Sequence, residues 1–130
     1  MMNKMWNKIL LLGIGGFIGS NLRYWITGWV TNIFGSYLPY GTLVVNGLGS
    51  FILGFLMMYG AEVAEIDPQI RLLIGTGMLG ALTTFSTFSY ETINLFRESS
   101  YFLGILNIFL NIGIGLTSVW LGFVLAKSLV

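Results

Sequence analysis

Three long stretches of this chain carry no Asp, Glu, Lys or Arg: Tyr24 to Ala61, Leu72 to Tyr90 and Ser99 to Ala126. A helix needs about 20 consecutive, mostly apolar residues to cross the hydrocarbon core of a bilayer. Each charge-free stretch is near that length or beyond it. The rest of the composition agrees: 8% of the 130 residues are charged and 55% are hydrophobic, whereas an ordinary soluble domain is about 25% charged. The fold class that follows is an all-α membrane protein.

Four spans are expected, over about 6–30, 42–61, 69–95 and 101–126, forming a single transmembrane domain across 1–130. Lys4, Trp6 and Lys8 sit at one end of the first span and Trp25 and Trp29 near the other, as tryptophan belts at headgroup depth require. This apolar run reads as a span rather than a cleavable leader, because no small-x-small site followed by a soluble domain comes after it. Gly35, Ser36 and Pro39 separate the first two spans. The acidic loop of Glu62, Glu65 and Asp67 ends at Pro68, a residue suited to the first turn of the third helix.

The chain has no cysteine and no histidine, which removes disulfides, thiol catalysis and imidazole-bound metals. Its net charge of +1 and six scattered basic residues make no nucleic-acid footprint. Four spans place both termini on one side, with Lys4, Lys8, Arg71 and Lys127, against Arg97 and Arg23 on the other. So slight a positive bias permits insertion in either orientation.

The chemistry lies in polar residues inside the apolar runs. Arg23 follows Lys8 by roughly 22 Å of helix axis, which makes it either a snorkelling anchor or a concentrator of anions at the mouth of a span. In the second span, Asn46 shares a helix face with Thr42 and Ser50. Its amide is either glue between helices or a pore donor toward an anion. The third span holds Thr83, Thr84, Ser86, Thr87 and Ser89 close behind Gly80. Branched and back-bonding hydroxyl residues weaken a helical ladder, so a mid-membrane break is expected there. Carbonyls freed by a break must be buried, face water or bind an ion. Without carboxylates they suit a hard cation such as sodium. Phe85 and Phe88 either pack or present their electropositive edges to an anion. Asn107 and Asn111 recur four apart in the fourth span, and Gly15 and Gly19 form a small-xxx-small pair in the first.

Two stretches, Gly41-Thr42-Leu43-Val44-Val45-Asn46 with Gly49-Ser50, and Gly80 through Thr83-Thr84-Phe85-Ser86-Thr87-Phe88-Ser89-Tyr90-Glu91, resemble the small bacterial fluoride channels of the Fluc (CrcB) family. The resemblance covers the whole chain, including Arg23 near the end of the first span. It implies an antiparallel, dual-topology homodimer in the bacterial inner membrane that exports cytoplasmic fluoride passively through two pores and is not an enzyme. It further implies a structural sodium ion at the dimer centre, held by backbone carbonyls of Gly80 and Thr83. Asn46, Phe85 and Phe88 would correspond to pore residues, with Ser86, Thr87 and Thr42 along a polar track and Arg23 in a vestibule. This chain departs from the family in offering Asn107 and Asn111 as fourth-helix pore donors, and in placing Ala81 where a second glycine is commoner.

Two other readings compete. A small four-helix multidrug exporter also works as an antiparallel dimer, but proton coupling needs a membrane-embedded carboxylate and the first span has none. Glu91 is the one acid near a span interior, about 9 Å along the axis from Arg97. An accessory subunit would use the same polar residues only to join helices.

Overall fold

The computed structural model describes residues 2–130, and these form helices and short connections without any strand. Four segments are long and apolar enough to cross a membrane: Met2–Phe34, Tyr40–Glu62, Pro68–Arg97 and Tyr101–Lys127. The first outruns the expected 6–30 by about one turn at each end, because nothing breaks it before Gly35. That glycine adopts φ +82°, and its N–H closes onto the Thr31 carbonyl at 2.8 Å, a left-handed helix ending that a residue with a Cβ would strain. The third begins where Asp67 caps it: the Gln69 N–H donates to Asp67 Oδ1 at 2.7 Å, and Pro68 takes the first helical position.

The buried core is small. Val45, Leu79 and Leu82 are almost fully enclosed and are ringed by Ile26, Ile52, Leu53, Ile74 and Met78. Only 6% of the most apolar stretch of the fourth helix and 11% of that of the first are buried within the chain. In water such an apolar exterior would drive association. Facing lipid it costs nothing.

The second helix packs mainly along the fourth, and the first along the N-terminal half of the third segment. Both crossings are close because glycines sit at them. A methyl group on Gly15 or Gly19 would collide with the carbonyl of Leu73 or Met78, so the small-residue pair read from the sequence lets two backbones touch. Residues Arg71–Leu79 of that third segment are wound as a π-helix, a wider turn that commonly marks functional regions.

Near its midpoint the third segment breaks. Thr83 (φ −83°, ψ 154°) and Thr84 (φ −151°, ψ 117°) are extended, and a second helix, Phe85–Arg97, restarts with Thr84 as its cap. Thr84 Oγ1 accepts from the Thr87 N–H at 3.1 Å, as a threonine at a helix N-cap should. Thr83 Oγ1 back-bonds to the Leu79 carbonyl at 3.0 Å. The dense hydroxyls therefore terminate one helix and start the next.

Candidate functional site

The break is held open by an asparagine on the neighbouring helix. Asn46 Oδ1 accepts the Thr84 backbone N–H at 2.8 Å, and Asn46 Nδ2 donates to the Thr84 carbonyl at 3.2 Å. The side-chain amide thus pairs with the extended backbone as a neighbouring strand would. It satisfies groups that lipid could not.

A cavity of about 330 Å³ opens beside this pairing, lined by Asn46, Gly49, Ser50, Gly80, Thr83, Thr84, Phe85, Phe88 and Asn111 among others. No ionisable side chain borders it. The rings of Phe85 and Phe88 lie 5.6 Å apart at 57°. Phe88 is buried, whereas Phe85 is 79% exposed on the flank of the protein. Gly49 keeps the second helix against the break, since a methyl group there would strike the Thr83 side chain.

A second cavity, of about 410 Å³, lies on the other side of Thr84 and is lined by Ser20, Arg23, Tyr24, Thr27, Thr42, Thr84, Thr87 and Glu91. Thr42 Oγ1 donates to Glu91 Oε1 at 2.5 Å. Arg23 and Glu91 border the same space, and among the described residues no ion pair joins them. Thr84 Oγ1 donates to Thr87 Oγ1 at 3.0 Å, which continues a row of hydroxyls toward the break.

The residues singled out in the sequence therefore divide. Asn46, Phe85, Phe88 and Asn111 meet around the first cavity, with Gly80 and Thr83 on its wall. Thr42, Thr87 and Arg23 meet around the second. Ser86 borders neither, and its hydroxyl lies 3.3 Å from Thr84 Oγ1. Asn107 also borders neither. It is 1% exposed and donates to Thr92 Oγ1 at 2.9 Å, an inter-helix bond across the protein interior. Thr84 and Glu91 border these cavities although spacing places neither in the site: Thr84 reads only as part of the hydroxyl run and Glu91 only as an acid near a span interior. A signal for Glu91 existed, because it follows Thr87 by one helical turn and so shares its face.

Hard oxygen donors also gather here. The Thr84 N–H that would close onto the Gly80 carbonyl in an unbroken helix is spent on Asn46 Oδ1. The Thr87 N–H that would reach the Thr83 carbonyl is spent on Thr84 Oγ1. Two carbonyls on the cavity wall are thereby left without their helical partners, and uncharged oxygens of this kind fit a hard monovalent cation. No group of three or more His, Cys, Asp or Glu that could hold a metal occurs among the described residues.

A family model described as CrcB-like protein, Camphor Resistance (CrcB), matches residues 10–123. A Clostridium perfringens protein named fluoride-specific ion channel FluC is 46% identical over 120 residues, covering 92% of this chain and 94% of the relative. A Shewanella halifaxensis protein of the same name is 47% identical over 116 residues, covering 89% and 93%. One from Dehalococcoides mccartyi, also so named, is 44% identical over 122 residues and covers 94% of each chain. With the family pattern spanning all four membrane segments and relatives this similar along nearly their full length, the chain belongs to the CrcB family.

Proposed function

We propose that this chain forms a passive, fluoride-selective channel that lets cytoplasmic fluoride leave across the bacterial inner membrane, working as an antiparallel, dual-topology homodimer. The observation that carries the proposal is the uncharged cavity at the helix break, where the Asn46 amide, the hydroxyls and two phenylalanine rings converge. The names of the relatives support fluoride as the ion. Fluoride is small and strongly hydrated, so a dry path must replace its water with donors at every step. Amides, hydroxyls and ring edges do so without the tight hold of a buried ammonium.

The route suggested by the cavities runs from Arg23 past Thr42, Thr87 and Glu91, across the Thr84–Asn46 pairing, to Phe85, Phe88 and Asn111. Arg23 raises the local anion concentration at the entrance. The break lies at mid-membrane depth on this reading. A second copy would cover the exposed Phe85 and Gly80, which lie on the open flank of the first cavity. The carbonyls of Gly80 and Thr83 from both copies would hold a structural sodium ion, whose charge would tie the two broken segments together. Fluoride enters a cell as its neutral acid and dissociates inside, and one charge crossing 100 mV is worth about 2.3 kcal/mol. A passive path alone therefore lowers internal fluoride.

Purified protein in fluoride-loaded liposomes should release fluoride to an electrode when valinomycin and a potassium gradient set the voltage, with no proton gradient present. Release that depends on a proton gradient would instead favour the exporter, with Glu91 as its carboxylate. An unlabelled outside face after reaction of a single cysteine at residues 32–41 with an impermeant thiol reagent, or complete labelling from that face, would remove dual topology and leave conduction standing.

A further inference from the structure

The amides at the first cavity form a directed chain, and its ends fix every orientation within it. A backbone N–H can only donate, so the bond from Thr84 N–H identifies the atom of Asn46 that receives it as oxygen. The Asn46 Nδ2 hydrogens then point to the Thr84 carbonyl and to Asn111 Oδ1, each at 3.2 Å. Asn111 in turn donates through Nδ2 to the Asn107 carbonyl at 3.0 Å and to Asn107 Oδ1 at 3.1 Å. Asn107 donates to Thr92 Oγ1 at 2.9 Å, and Thr92 donates to the Phe88 carbonyl at 2.7 Å, where the chain ends on an atom that can only accept. Turning any one amide over would set two donors or two acceptors face to face.

This direction assigns Asn111 a role opposite to that of an anion donor. Its amide nitrogen is bonded within its own helix, to the carbonyl and the side-chain oxygen of Asn107, so the atom it turns toward Asn46 at the cavity is oxygen. That oxygen takes the Asn46 hydrogen that the Thr84 carbonyl does not use. We propose that Asn111 Oδ1 is a placeholder acceptor: it occupies the free N–H of Asn46 between ions, and an arriving anion must displace it, with Asn107 holding the Asn111 amide in that orientation. Both bonds from Asn46 Nδ2 are long for N–H···O, and long bonds exchange at low cost. The ion then gives up one hydrogen bond's worth of affinity on entry and is pushed off by the returning oxygen on exit. Asn111 and Asn107 are positioning residues in this scheme, and only Asn46 donates. The inference rests on the reading of Asn46 as part of an anion path.

Fluoride flux measured against fluoride concentration in proteoliposomes tests it, with Asn111→Leu and the smaller Asn111→Ala beside wild type. Removing the placeholder should lower the half-saturating concentration by about fivefold, the equivalent of one neutral hydrogen bond, and lower the maximal rate by a similar factor. A raised half-saturating concentration would make Asn111 a direct donor, and a lowered maximum at unchanged half-saturation would leave it a packing residue. Either result overturns the proposal. If wild type passes no fluoride, the anion-path reading fails first and separately. The wild type supplies a measurement that needs no variant: on titration with sodium fluoride, the carbon resonance of the Asn111 side-chain amide should move with the same midpoint as the Asn46 amide nitrogen. An Asn111 signal unmoved at saturation contradicts displacement.

Discussion

The cavity around Asn46 and Asn111 has no ionisable side chain on its wall, whereas the one around Thr42 and Thr87 holds Arg23 and Glu91, one basic and one acidic group. The two are separated only by Thr84, whose backbone is bound on one side by the Asn46 amide and whose hydroxyl faces the other. A charge attracts an ion from a distance and, in a low dielectric, holds it. Neutral donors attract weakly and release. The difference suits an entrance followed by a place of transit, and the proposed channel can be broken or sharpened at either one.

The largest effect is expected at the neutral cavity. Asn46→Asp puts a negative charge on the proposed anion path, and repulsion of about 4 kcal/mol at contact would slow efflux roughly a thousandfold. The protein should still assemble, as judged by gel filtration. Phe88→Ile keeps the site apolar but removes the electropositive ring edge, and efflux should fall about tenfold. At the charged cavity a milder and conditional loss is expected. Arg23→Gln should reduce efflux a few-fold at low ionic strength and scarcely at all near 1 M salt, where screening is complete within about 3 Å. A salt-independent loss would move Arg23 out of the entrance and into the path. Phe51 borders neither cavity, and Phe51→Ile should leave efflux within about twofold of wild type.

Three of the four spans were legible because charges are absent over lengths that match a bilayer, and the first because its apolar run is framed by Trp6 at one end and Trp25 and Trp29 near the other. Neither signal needs knowledge of what packs against what. The break was legible for a related reason: Thr83, Thr84 and Thr87 prefer local side-chain bonds to a helical ladder, and in the structure all three make them. What each polar residue faces was not legible. Spacing puts Thr42 and Asn46 on one face of the second helix, yet they border different cavities because the backbone at Thr84 lies between them. Asn107 and Asn111 share a face as well, but a residue on the third segment, Thr92, takes Asn107 into the interior. Helical period fixes a direction on one helix. It says nothing of the neighbour in that direction, which here is decided by close crossings at Gly49 and at Gly15 and Gly19.

The central claim is that a neutral, donor-lined path carries fluoride down its own electrochemical gradient. Recording across a planar bilayer with a tenfold fluoride gradient, equal pH and impermeant cations on both sides tests it directly. The account predicts a zero-current voltage of about 59 mV, with the sign of an anion conductance, and no shift when a chloride gradient is superimposed. A zero-current voltage that follows the proton or chloride gradient, or that stays at zero, would contradict it.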